Sequence, residues 1–407
     1  MKNLVKPFIG LRPHPDHVTQ VIAPPYDVVD RLQAKQLAHD NPYSFLHISK
    51  PEINLADTID EHDPQVYACG EQWLQHLRDE GILLRDSQPA YYIYRILSGS
   101  HVQTGVLGTL SVAAYRDGKI AKHELTRPAK VSGRVQLTQA LQTQISPVLL
   151  TYRDQGELET WLANQIQQQP PLYQVTDYQD VTHQLWSIDQ PQQRDALDVL
   201  LQQIPQLYIA DGHHRCACAD EVYRQDDRAT NAYFLAAMFP ASQLQILSYH
   251  RLINGIASFD PATFLQQLTA QFGVQRLDSP QPPTQANLPI MYLAGHWYQL
   301  QCQLPTVTQD PVAQLPITLL HQQIIEPLLG ITDPRVDPRI DFCGGQQPLL
   351  EIAHLINQGK AQIFFGVAPT SIDQLLSVAD AGALMPPKST WFAPKLVDGF
   401  VSYETFS

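Results

Sequence analysis

Asp211, Gly212, His213, His214 and Arg215 place an acid, a flexible turn, two imidazoles and a guanidinium in five consecutive positions. They follow the apolar run Leu207 to Ala210 and precede the small residues Cys216, Ala217, Cys218 and Ala219. That order predicts a buried strand, a turn and a helix packed closely on a sheet. The first N–H groups of a helix have no intrahelical partners and carry the positive end of its dipole, so they attract anions. Gly212 would let the backbone approach a phosphate and Arg215 could grip one through two N–H groups. His213 and His214 could bind or titrate near neutrality. The plainer reading, Asp211 as a helix cap with surface histidines, does not explain why all five residue types crowd onto one turn.

Three other stretches carry usable chemistry. His123, Glu124, Leu125, Thr126 and Arg127, followed by Lys130 and Arg134, combine base, acid, hydroxyl and cation. A solvated charged face accounts for the basic residues better than for the whole set. Glu124, beside His123, is the candidate base for a substrate hydroxyl, with Asp211 and Asp27 in reserve. Asp337 and Arg339 lie in the proline-stiffened run Asp333 to Asp341, which suits either a rigid binding loop or an ion-paired turn. Lys388, Ser389 and Thr390 sit between prolines and the aromatics Trp391 and Phe392. There the rings could anchor a strap whose lysine meets phosphate or carboxylate.

The frame that must position these groups is large. A chain of 407 residues exceeds one typical core and predicts two domains or one with a large elaboration. Hydrophobic residues at 44% exclude general disorder. A net charge of -13 without a basic run argues against a nucleic-acid footprint, which needs phosphate-neutralising surface. The N-terminus lacks the apolar core of a secretory signal and no stretch has the length of a membrane span, so a cytoplasmic protein with no membrane partner is expected. Cys69, Cys216, Cys218, Cys302 and Cys343 are odd in number and scattered, which predicts reduced thiols.

In chain order, Asp27 or Asp30 should cap a helix running to about His39, stopped by Asn41 and Pro42. Ser44 to Ile48 reads as a strand and Asp63 to Glu80 as an amphipathic helix. Tyr91 to Ile96 and Thr104 to Ala114 read as paired strands, and Ser146 to Tyr152 as a buried one. Asp195 to Ile204 should be a helix, Tyr233 to Phe239 a strand, and Leu244 to Leu252 another. Beyond them a helix over 264–272, a hairpin over 290–304, helices over 317–329, 349–358 and 372–379, and a strand over 361–367 are expected. Strands and helices interleave without a regular parallel pattern, so the class is α+β, a mixed β-sheet with flanking helices. Three parts are expected: an N-terminal α/β part over 1–155, a central part over 156–253 and a C-terminal α/β part over 254–407.

Four segments together resemble the bacterial and archaeal family called domain of unknown function 1015. These are Ala23-Pro24-Pro25-Tyr26-Asp27-Val28-Val29 with Asn41 to His47, then His123 to Arg127, then Ala210 to Arg215, and finally Met385 to Leu396. Ala393 stands where that family usually has Glu, and Cys216 where it commonly has Tyr. The Asp211 to Arg215 turn is also similar to the phosphate-binding turn of the sulfiredoxin and ParB-like fold, which includes free-serine kinases. That similarity implies a core of this fold, with Gly212, His213, His214 and Arg215 as a phosphate cradle. The sulfiredoxin cysteine would stand where His213 is, which speaks against peroxiredoxin repair.

Together these readings predict a nucleotide-dependent phosphotransferase for a small hydroxyl-bearing metabolite, using ATP or ADP with Mg²⁺. Phosphate would be held by Gly212, His213, His214, Arg215, Arg127 and Lys388, with substrate or loop contacts from Tyr26, Asp27, Asp337, Arg339, Ser389 and Thr390. Two alternatives stay open: a metal-dependent hydrolase using His213, His214, His123 and Glu124, and a non-catalytic nucleotide sensor. The sequence leaves the oligomeric state and any bound metal open.

Overall fold

The computed structural model describes residues 4–305 and 309–406. The chain divides into two compact units, not the three sequential parts expected. The first comprises residues 1–122, 126–244 and 394–407, and the second residues 123–125 and 245–393. No boundary falls near residue 155, because the strands on either side of it belong to one sheet. Val148–Tyr152 pairs in parallel with Tyr233–Pro240. The last stretch returns to the first unit because Ser402–Glu404 pairs with Gly10–Pro13 and Thr143–Gln144.

The first unit is built on a nine-stranded mixed sheet. Its central order is Leu207–Asp211, Val148–Tyr152, Tyr233–Pro240, His101–Ser111, Tyr91–Ser98 and Thr182–Ile188, with Ile120–Ala121 and Tyr173–Thr176 at the edges and the short Val5–Lys6 pairing with His101–Ser111 as the ninth strand. Tyr233–Pro240 runs antiparallel to His101–Ser111 and parallel to Val148–Tyr152, which makes the sheet mixed. The middle strands read as near-continuous apolar runs because helices cover them. Val148, Leu150, Ile209, Phe234, Ala236 and Met238 join Leu158, Leu197 and Cys216 from the helices in one core. Each large aliphatic side chain buried in this way contributes about 1.5–3 kcal/mol.

A second core forms under the N-terminal helices Arg31–Ala38 and Pro64–Asp79. Asp30 caps the former with a full capping box to Gln33, and Leu74 and Leu77 turn the apolar stripe of the latter inward. The strand expected over Ser44 to Ile48 is instead a short helix, Leu46–Ser49. Phe45, Leu46 and Ile48 are all buried in this core, so the run carries no strand alternation.

The second unit carries a six-stranded antiparallel sheet. Its order is Gly273–Leu277, His296–Gln301, Ile290–Leu293, Ile363–Gly366, Tyr249–Ile253 and Ile340–Gly344. Pro261–Gln271, Leu349–Asn357 and Ile372–Asp380 are its main helices. The single strand expected over Leu244 to Leu252 divides in two: Gln245–Leu247 pairs with Trp391–Ala393, and Tyr249–Ile253 enters the sheet. All five cysteines are free thiols. No helix among the described residues is long and apolar enough to cross a membrane.

Candidate functional site

The turn at residue 211 is made by two local features. The register of Leu207–Asp211 against Val148–Tyr152 slips between Ile209 and Asp211, a bulge that re-aims the Asp211 side chain at the strand's end. Gly212 then takes φ +101°, a left-handed conformation that side-chain-bearing residues rarely adopt, and the helix His213–Gln225 begins immediately. The expected strand, turn and helix are therefore present, with glycine in the N-cap position.

Arg215 folds back over this turn. A Cβ added to Gly212 would lie 2.9 Å from Arg215 Nε, so the guanidinium occupies the space that glycine leaves open. One Nη donates to the carbonyl of Pro147. The other stands 3.6 Å from an Asp211 oxygen and 3.7 Å from an Asp27 oxygen. Burial works against the charged guanidinium, but Asp27 and Asp211 outweigh it and hold its pKa above the ordinary value. Its Nε has no hydrogen-bond partner among the described residues. Most of the donors expected to grip phosphate are thus already turned toward carboxylates and a carbonyl.

Lys395 completes an ion network by donating to Asp211 at 3.1 Å. Burial alone would raise the Asp211 carboxyl. Lys395 and Arg215 reverse that and hold it well below the usual carboxylate range. The network is open on one side: the Asp27 and Asp211 side chains keep 37% and 29% of their exposure, against 8% for Arg215. A solute can therefore reach the two acids while the arginine stays shielded.

Behind it lies a second layer. Arg134 stacks over the Tyr26 ring, 3.8 Å from its centroid. Burial, ahead of the neighbouring charges, pushes the Tyr26 hydroxyl up to about 12. Asp398 is completely buried, and its backbone forms a two-way bridge to Ala23, three residues before Tyr26. Neither of its carboxyl oxygens accepts a well-formed hydrogen bond from the described residues, although the Ser146 hydroxyl lies beside it. Burial raises this carboxyl to about 7, with Ser146, Arg134 and Arg215 opposing the shift.

His213 is buried and helps to hold Asp211 ionised. His214 Nε2 accepts the N–H of Arg127 at 3.0 Å, so the neutral ring carries its proton on Nδ1. Arg127 reaches this turn through its backbone, and its side chain is exposed. Tyr26 and Asp27 are therefore brought to the Asp211–Arg215 turn within the first unit.

The remaining expected site residues belong to the second unit. His123 and Glu124 lie there, and the His123 carbonyl accepts the Met385 N–H at 2.8 Å. Asp337 pairs with Arg339 at 2.6 Å, and Arg339 also donates to the Gly330 carbonyl at 2.8 Å. Arg335 pairs likewise with Asp333 at 2.7 Å, so this proline-stiffened loop is laced by its own ion pairs. Lys388 has φ +57° and points over the Tyr249 ring at 5.4 Å. Ser389 donates to the Pro386 carbonyl at 2.6 Å and accepts from Thr370 through its own carbonyl, while Thr390 is half-buried beside it.

Sequence reasoning missed Asp398, Ser146 and Pro147, and passed over Lys395 within the Met385 to Leu396 segment. A usable signal existed for Asp398, an acid between Val397 and the apolar run Phe400 and Val401. An isolated carboxylate in such a run is a buried polar group that needs a reason.

An α+β protein built on a mixed sheet, with a glycine-opened helix start facing a carboxylate and guanidinium network, is the class that fold and site define. The chain belongs to the family described as protein of unknown function DUF1015, whose model matches residues 5–318. No curated protein matches it. Among solved structures it is similar to a free serine kinase in complex with AMP, at 10% identity over 71% of this chain and 87% of that one, with a TM-score of 0.35. A conserved hypothetical protein from Pyrococcus furiosus matches at 10% identity over 72% and 93%, with a TM-score of 0.34. SbnI with a C-terminal truncation, from Staphylococcus aureus, matches at 13% identity over 72% and 85%, with a TM-score of 0.37.

Proposed function

We propose that this protein is a nucleotide-dependent phosphotransferase acting on a small hydroxyl-bearing metabolite, with nucleotide phosphate bound at the Asp211–Arg215 turn. One observation carries the reading: a left-handed glycine opens a thirteen-residue helix directly beneath a buried arginine whose Nε has no hydrogen-bond partner among the described residues. Phosphoryl transfer asks a protein chiefly for positioning and charge neutralisation, and this turn offers both. The substrate hydroxyl would attack the terminal phosphorus, the bond to the leaving nucleotide would break, and the hydroxyl proton would pass to a carboxylate. Asp27, exposed and beside Arg215, is the candidate acceptor within the first unit. Mg²⁺ would enter with the nucleotide, and Asp27 and Asp211 are the hard oxygen donors beside this turn.

The test is AMP binding by calorimetry together with ATP and ADP turnover across hydroxy amino acids and small alcohols. Arg215→Lys, which keeps the charge but loses the planar fork, should weaken AMP binding by about 10–100-fold, the equivalent of one or two charge-assisted hydrogen bonds. Unchanged AMP affinity in a folded Arg215→Lys protein would reject this site. Binding without turnover on any acceptor would leave a nucleotide sensor.

A further inference from the structure

The first unit holds a cavity of about 280 Å³, close to the lower end of small-molecule pockets at about 300 Å³. The helices Val18–Val21, Arg31–Ala38 and Leu46–Ser49 and the turn after Tyr173–Thr176 each contribute to its wall. Its inner end is apolar, with Ala23, Pro24, Leu46 and Val397 all buried, while Tyr178 stands exposed at the mouth beside Asp177. Among the described residues that line it, Asp177 is the only charged one. None of the residues placed around the Asp211–Arg215 turn lines it.

Asp177 is fixed by a chain of hydrogen bonds that starts and ends in the cavity wall. Val397 points its N–H at the Tyr94 hydroxyl, 3.4 Å away. That hydroxyl lies 2.7 Å from His183 Nδ1, and His183 Nε2 lies 3.2 Å from an Asp177 oxygen. Tyr94, accepting from Val397, donates to Nδ1, so the neutral His183 ring carries its proton on Nε2 and donates it to Asp177. Tyr94 and His183 are both completely buried. The other Asp177 oxygen accepts the N–H groups of Gln179 at 2.8 Å and Val181 at 3.0 Å. Burial alone would raise this carboxyl, but His183 and those two N–H groups hold it below its ordinary value.

Three donors therefore meet a carboxylate with about four acceptor positions, and the oxygen facing His183 keeps one open. The amide and hydroxyl nearby are engaged by the protein itself. Asn41 donates to the Gln20 carbonyl at 2.8 Å and accepts the Tyr43 N–H at 3.2 Å, and the Ser44 hydroxyl accepts the Leu46 N–H at 3.3 Å. What the cavity offers a solute is thus one fixed negative charge at the rim of an apolar hollow.

We propose that this cavity binds a short primary alkylammonium, its ammonium on the open oxygen of Asp177 and its alkyl chain over Ala23, Leu46 and Val397. A lone carboxylate selects a cation, and the apolar inner end selects an uncharged body behind it. A second ammonium at the far end of the chain would lie among apolar side chains without a partner, so a diamine is disfavoured. The proposal stands apart from the phosphate reading of the Asp211–Arg215 turn.

Pentylammonium is the probe, with pentanol as its uncharged counterpart and pentanediamine as its doubly charged one. Calorimetric titration of the full-length protein at about 0.15 M salt, where exposed charges are screened beyond about 8 Å, should show saturable binding of one pentylammonium per chain. Pentanol should bind roughly 10–100-fold more weakly, the loss of one hydrogen bond to a charged group, and the diamine should also bind more weakly. Asp177→Asn, which keeps the shape and an acceptor oxygen, should bind pentylammonium no better than pentanol. Ala23→Leu guards against a misfolded amide variant: it fills the inner end and leaves Asp177 alone, so it should weaken pentylammonium more than ethylammonium. Equal wild-type affinity for pentylammonium and pentanol overturns the proposal, as does the lack of saturable pentylammonium binding. A preference for the ammonium that survives in folded Asp177→Asn puts the charge elsewhere and overturns it too. Equal weakening of both chain lengths in Ala23→Leu overturns the placement of the alkyl chain.

Discussion

Gly212 holds the site's geometry for two separate reasons, and one substitution tests both. Its φ of +101° disfavours any L side chain, and a Cβ there would press on Arg215 Nε at 2.9 Å. The first effect costs about 1–3 kcal/mol and the second displaces the guanidinium. Gly212→Ala should therefore lower the melting temperature and weaken AMP binding together. A variant with unchanged melting and unchanged binding would show that the turn relaxes without cost. Of these residues, the sequence exposed those that lie next to one another. Asp211 to Arg215 are contiguous, so their combination was legible. Lys395 reaches Asp211 across 184 positions, and no spacing rule brings such a pair together. The same holds for Asp27 and Arg215. Chemistry assembled by tertiary contact leaves a trace in sequence only when a residue looks out of place, as Asp398 does in its apolar surroundings.

At the scale of elements, local rules were reliable where local forces decide. Asp30, one of the two acids expected to cap the Arg31–Ala38 helix, forms a capping box with Gln33, its carboxylate accepting from the Gln33 N–H at 2.8 Å. Asp30→Ala should destabilise the first unit by about 0.5–2 kcal/mol, read as a lower denaturant midpoint with an unchanged slope. A loss well above that range would mean that Asp30 does more than cap. Periodicity failed where burial is not one-sided. Phe45, Leu46 and Ile48 are apolar on all sides because a single helical turn is sunk into a core, and a run that short fits either period. The split of Leu244 to Leu252 has another cause: Gln245–Leu247 and Tyr249–Ile253 pair with different partners, Trp391–Ala393 for the first and Ile340–Gly344 for the second, so Ser248 between them marks the change of sheet.

At the scale of the whole molecule, one buried group in each unit titrates with the opposite sign. His250, in the second unit, is buried against Phe364 and accepts the Val367 N–H at 3.3 Å, and burial with the adjacent Arg251 lowers its pKa to about 4. The unfolded chain binds that proton near 6.5 and the folded chain only near 4, so its contribution is complete above pH 6.5 and lost as the pH falls toward 4. The loss amounts to about 3 kcal/mol. Hydrogen exchange of the Tyr249–Ile253 strand should accelerate over that interval in the wild type and much less in His250→Gln, which keeps an acceptor but cannot charge. Equal acceleration in both would assign the acid sensitivity to another group. Asp398 has the reverse sign. Its folded pKa lies above the ordinary carboxylate value, so its own contribution is lost as the pH rises from about 4 to 7, and Asp398→Asn should remove that part of the pH dependence.

The second unit is spliced into the first between residues 244 and 394. During synthesis the central strands of the large sheet therefore leave the ribosome about 150 residues before Lys395 and Asp398 do. Until those late residues arrive, Asp211 waits without the lysine that pairs with it, and Gly10–Pro13 waits without Ser402–Glu404 beside it. A nascent chain halted before residue 394 would expose an open sheet edge and an unfinished ion network. Such an intermediate is a natural client for chaperones, and the Asp211–Lys395 pair forms only after the whole second unit has been made.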